Sequence, residues 1–314
     1  MSPRGGGGDR SMVPKAEFES YYGRPIVRPP VWTHDIASYL FTGGLAAGSA
    51  LLAAGGQATG DTTLRRAGRI TTLGALGAST YFLIIDLGRP ERFHHMLRVA
   101  KPTSPMSVGT WVLATFGGAA AVAGAAEFAP LLPSRLLRRV LPPVGDAAGI
   151  GAAVLAPALA TYTAVLFADT AVPSWNAVHP ELPFMFAGSA LASGAGVGLI
   201  AAPGRPARRM AVLGAGIELV AGHQVEHGHG LLSEPYHTGR PGKLLRAARA
   251  LTIAGAVGAV PDRPGLGVEL DMAEVEKAHA LYKARGLGAR DDAAAMQYVV
   301  PGWTFDPKRP ALAR

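Results

Sequence analysis

Cysteine is absent from all 314 residues. A chain without thiols cannot ligate an iron–sulfur cluster, build a thiolate metal site, attach a c-type haem covalently or close a disulfide. Any redox centre that serves this chain must therefore come from a partner or a diffusible carrier. Charge is also scarce. The 30 basic and 22 acidic residues gather in short clusters between apolar blocks, 49% of the chain is hydrophobic, and the mean hydropathy is positive. That pattern is of a multi-span membrane protein rather than a soluble globule. The first thirty residues hold no apolar core ahead of Val31, so no cleavable signal peptide is expected. The net charge of +8 would suggest nucleic acid in a soluble protein. Here the arginines flank hydrophobic segments, where they set membrane orientation, and no nucleic-acid partner is expected.

What remains is organised around His34 to Asp86. The first span, His34 to Gly56, carries no charge after Asp35, and its length crosses a bilayer. A second, Gly68 to Leu87, runs into the string DLGRPERF with Asp86 just inside its apolar end. Two connected helices of this kind are antiparallel, which places His34, Asp35 and Asp86 on one side of the membrane. Further spans are expected at about Val108 to Ala129, Gly145 to Ala168 and Pro183 to Ala202, with shorter embedded helices at Met210 to Gly222 and Leu244 to Val260. The expected fold is thus an all-α polytopic bundle of about seven transmembrane helices over residues 32–260. A flexible N-terminal arm, 1–31, precedes it. A soluble C-terminal tail, 261–314, follows, and its segment 268–285 alternates charged and apolar positions like a surface helix.

Gly44 and Gly48 in the first span make a small-xxx-small step that suits close helix packing. Glu127 ends span three beside the loop that carries Arg135, Arg138 and Arg139. The loops after spans one, three and five carry three arginines each, whereas the loop after span four has no Lys or Arg. The positive-inside rule then puts the N-terminus and the Asp86 side outside, against the contrary pull of the basic loop after span two.

Asp86 and Asp169 both end helices, where the dipole disfavours a carboxylate and the apolar zone makes charge costly. Each is a candidate for proton chemistry. The plainer alternative for Asp86 is an ion pair with Arg89 or Arg92. Tyr162 lies seven residues before Asp169 on about the same face, roughly 9 Å deeper at the helical rise. A hydrogen bond to nearby backbone would also account for it. His34 is of the residue type that commonly accepts and releases protons, and Asp35 could simply cap span one. His179 precedes span five on the same side. Such a set could bind a quinone: a histidine and a tyrosine hydrogen-bond two carbonyl oxygens, and carboxylates relay the protons.

Two other readings stay open. Glu218, an acid within a glycine-rich helix, suits a transporter or proton-conducting protein. The string His223-Gln-Val-Glu226-His227 matches the H-x-x-E-H pattern of membrane zinc peptidases, although no third ligand is evident.

Taken in order, YYGRP, PPVW, YLFTGGLAAGSALLAAG, DLGRPERF, MLRVAKPTSPMSVGTW and TYTAVLFADTAVPSW resemble the NrfD family over about residues 20 to 260. This family comprises the integral membrane subunits of polysulfide reductase and related molybdopterin oxidoreductases. The resemblance implies a quinone-reactive anchor in the cytoplasmic membrane. It would exchange electrons between menaquinone or another quinone and a four-cluster iron–sulfur subunit, which serves a molybdopterin catalytic subunit. It also implies quinone contacts at His34, Asp35 and Tyr162, and a place for Asp86 on a proton route. Family members usually have eight or more spans, so this chain departs at its end: either segment 268–285 replaces the last helix or this version lacks it. The loop from Arg89 to Ser107 and the arm from Tyr21 to Pro30 are the expected docking surface for the iron–sulfur partner, because aromatic residues, Met and Arg together are typical of interfaces.

Overall fold

The computed structural model describes residues 32–260 together with 276, 277, 279, 280 and 283. The N-terminal arm, the docking segment 21–30 and most of segment 268–285 lie outside the described residues. By its contacts the chain divides into two units, Met1–Val260 and Pro261–Arg314, and the described residues of the second unit are helical.

Every element described in the first unit is helical. The long helices are α1 (His34–Thr59), α2 (Thr62–Ile85), α3 (Pro105–Ala126), α4 (Arg135–Ala168), α6 (Leu182–Ala201), α7 (Arg205–His227) and α9 (Gly239–Ala259), with short α5 (Pro173–Ala177) and α8 (Glu234–His237) between them. Local chemistry sets many of the ends. Thr33, Asp61, Ser104 and Ser134 each accept a backbone N–H from the first turn that follows them, satisfying donors the helix itself leaves bare. Gly60 closes α1 at φ +72°, a conformation that glycine adopts without penalty, and Asp61 opens α2 directly afterwards. The chain therefore reverses in two residues, and the Asp86 end of α2 returns beside the start of α1.

The seven long helices stand where spans were expected. Among the described residues, α1, α3, α4 and α6 are long and apolar enough to cross a membrane, and a fifth span is added if α2 is joined to the 3₁₀ turn Pro90–Leu97 that bends from it by 109°. The protein is thus a multi-pass membrane bundle. α7 and α9 are long enough, but they carry Arg205, Arg208, Arg209 and Glu218, and Arg240, Lys243, Arg246 and Arg249. Their charge sets them below the apolar spans, so among the described residues four or five of the about seven expected helices have the length and apolarity of a crossing.

Small residues let the helices approach closely. A methyl group on Gly48 would overlap the backbone of Ala190, and one on Gly194 would overlap Gly48, so α1 and α6 cross almost backbone to backbone. The core around this crossing is built from Tyr39, Ala46, Ala47, Phe116, Ala156 and Leu159.

The arginines after span one are not in a loop. Arg65 and Arg69 belong to the first turns of α2, and Arg69 is 4% exposed. Arg69 donates to Glu127 at 2.9 Å, to Asp146 at 2.8 Å and to Gln57 at 2.9 Å, while Arg65 donates to Glu127 at 2.9 Å. Glu127 therefore pairs with α2 rather than with the Arg135 to Arg139 turn. Two cations and two carboxylates neutralise one another, which allows an arginine to be buried where alone it would be prohibitively costly.

Candidate functional site

At the end of the bundle that carries Asp86, the ends of α1, α2, α3 and α4 surround an apolar cavity. Its empty volume is about 690 Å³, counted to its open mouth, and Tyr39, Asp86, Met96, Met106, Tyr162 and Phe167 are among the lining residues. A mostly apolar wall with a few polar groups is the usual chemistry of a small-molecule site.

Each polar group owes its place to an element end. Asp86 is the C-cap of α2 and half-buried. Its hydrogen-bond partner is Thr33, not an arginine: the Thr33 hydroxyl lies 3.3 Å from Asp86 Oδ1 and 2.9 Å from Asp35 Oδ2. The Arg89 or Arg92 ion pair considered from the sequence is not formed among the described residues. Thr33 also caps α1 by accepting from the Asp35 N–H at 3.2 Å. One hydroxyl thus stands between two carboxylates, one lining the cavity and the other half-buried outside its lining.

Tyr162 projects from α4 onto Gly109 of α3, where an added methyl group would overlap its ring atoms Cε2 and Cδ2. Only glycine leaves the ring this seat. Among the described residues, neither the Tyr162 nor the Tyr39 hydroxyl makes a hydrogen bond, although Tyr39 is 3% exposed. A buried phenol usually finds a partner, so these two donors are free for a guest in the cavity they line. In the cavity wall, Phe167 stacks on Trp175 behind it at 4.2 Å between ring centroids and meets Trp32 at 5.9 Å, while Trp32 and Trp175 lie 6.1 Å apart.

The cavity unites Asp86 and Tyr162, and Thr33 connects Asp35 to them. His34 and Asp169 are exposed, outside the lining, at the ends of α1 and α4, and His179 is exposed with Nδ1 3.0 Å from the Asn176 carbonyl. Thr33, Tyr39, Gly109, Met96, Met106 and the three stacked aromatics were not singled out from the sequence. The quoted strings held Trp32, Tyr39, Met96, Met106, Gly109, Phe167 and Trp175, but their roles in the cavity depend on which helices meet.

At the zinc-like string, α7 stays helical through His227, and the His223 and His227 rings stack at 4.5 Å. Glu226 is 4% exposed and accepts a hydrogen bond from Arg249, while His237 Nε2 lies 2.7 Å from the Glu226 carbonyl. A carboxylate held by arginine is not available as a metallopeptidase base. Among the described residues no group of three His, Asp or Glu side chains is placed to hold a metal.

In comparison with known families, the sequence model described as Polysulphide reductase, NrfD matches residues 26–214, from before α1 into α7.

Proposed function

A match over more than half of its length makes this chain a member of the NrfD polysulphide reductase family, the membrane subunits of polysulfide reductase-like complexes, and from that premise we propose that it is a quinone-reactive anchor working at the Tyr162 cavity. The observation that carries the reading is the pairing of two unbonded phenols with a half-buried carboxylate in one apolar chamber at a helix-bundle end. Tyr162 and Tyr39 donate to the two carbonyl oxygens of the quinone ring, and the apolar wall holds the ring and the start of its tail. Asp86 exchanges protons with the bound ring, and Thr33 passes them to Asp35 and so to the aqueous face, with His34 beside it. Each turnover moves two protons along this route and two electrons between the quinone and a partner iron–sulfur protein, which in turn serves a molybdopterin enzyme.

In the proposal the loop from Arg89 to Ser107 receives that partner. Its Pro90–Leu97 turn exposes Phe93 and Leu97 beside Arg92, and Val99 follows with 67% exposure, an apolar and basic surface next to the cavity. The complex sits in the cytoplasmic membrane.

Quinone turnover by the assembled complex tests the route. Asp86→Asn and Thr33→Val are each expected to lower turnover by at least tenfold with the complex intact, and Thr33→Ser, which keeps the hydroxyl, to restore it. Full turnover in Asp86→Asn would remove the carboxylate from the mechanism.

A further inference from the structure

A second chamber lies in the same unit, between α6, α7 and α9, and shares no lining residue with the Tyr162 cavity. Two cavities meet there. One, with an empty volume of about 370 Å³, reaches past His223, Glu226 and Arg249 toward the Asp86 end of the bundle. The other, about 780 Å³, extends along the cleft between α6 and α9 past Ser193 and Gly255 toward the opposite end. Glu218, Ala248 and Thr252 line both. Glu218 is half-buried.

The depth of Glu218 is fixed by packing. A methyl group on Gly188 would press on the Glu218 backbone, and one on Gly214 would press on α6, so α6 and α7 cross closely at this level. Thirteen residues into α7, Glu218 stands about 20 Å along the helix axis. Among the described residues no cation pairs with it. Arg249, the nearest basic group in the lining, is already bonded to Glu226, and α6 contributes Met185, Ser189 and Ser193 to these walls. A half-buried carboxyl with no counter-ion among the described residues, set between two chambers whose linings run toward opposite ends of the bundle, has the arrangement needed to take a proton from one side and release it to the other.

We propose that Glu218 is a proton-loading site. It exchanges its proton with the Asp86 face through the chamber mouthed by His223 and Glu226, and with the other face through the cleft between α6 and α9. The site is separate from the Tyr162 cavity and does not depend on the quinone reading.

The test is carbodiimide labelling of the purified full chain in lipid vesicles, mapped by peptide mass spectrometry, since the apolar reagent enters through the bilayer and adds only to a protonated carboxyl. Glu218 is expected to label, with labelling declining as pH rises, and Glu218→Gln is expected to abolish the label on its peptide. Failure of Glu218 to label, or labelling that is the same at every pH, would overturn the proposal. Suppression of the label by sodium at constant pH would overturn it too, because the site would then be a metal-cation site. None of these outcomes bears on whether quinone binds at Tyr162, which is read separately by quinone turnover.

Discussion

Gly109 leaves no room for a methyl group where Tyr162 rests on α3, so the tyrosine's aim into the cavity depends on a residue with no side chain. Gly109→Ala is therefore expected to tilt the ring, at an overpacking cost of about 1–3 kcal/mol. Quinone turnover should fall as far as in Tyr162→Phe while the protein still inserts into membranes. Normal turnover in Gly109→Ala would show that the ring's seat does not matter. At this scale the sequence was readable only in part. Asp86 and Tyr162 stood out because a charge or a hydroxyl near the apolar zone is exceptional. Gly109 did not, because glycine is common in membrane helices and its role is set by a ring 53 positions away. Tyr39 looked like ordinary span, and Thr33 like a residue before a cap; their meaning comes from the return of α2 beside the start of α1.

Helix by helix, the apolar lengths were legible and the charged ends were not. The first turns of α2 read as loop because three arginines fall within five positions, yet Arg65 and Arg69 are helical. Carboxylates from two other helices, Glu127 after α3 and Asp146 in α4, compensate them, and such pairing across helices leaves no local trace. Removing Arg69 strands buried charge, so Arg69→Met is expected to destabilise the bundle on the order of 3 kcal/mol and lower its thermal midpoint in detergent. Arg66→Ala, at an exposed position of the same turn, should leave the midpoint unchanged. Equal midpoints for the two variants would mean that the network adds nothing. The 3₁₀ turn Pro90–Leu97 is the matching element at the other end. Reversing Arg92 and Arg98 to Glu should release the iron–sulfur partner from membranes and leave this subunit inserted. Headgroup attraction alone is worth about 1 kcal/mol per basic residue, and a fully retained, coupled complex after both changes would reduce the loop to that role.

Over the whole molecule, the two ends of the bundle are unlike. One closes on the Arg65, Arg69, Glu127 and Asp146 network, which ties the first four helices together. The other opens into the Tyr162 cavity, with Trp32 and Phe167 in its wall and Trp175 behind Phe167. This asymmetry suits an anchor whose chemistry is confined to one face, where a partner's terminal cluster must come close. The central claim is that this cavity holds a quinone ring, and the aromatic wall supplies a reporter. Tryptophan fluorescence of the purified full chain, titrated with a short-tailed quinone, tests it most directly. Quenching should saturate, and Tyr162→Phe, by removing one hydrogen bond of about 1.4 kcal/mol, should weaken the apparent affinity about tenfold. Quenching that rises without saturation, or that is the same in Tyr162→Phe and in a variant with Tyr39 also changed to Phe, would contradict the account.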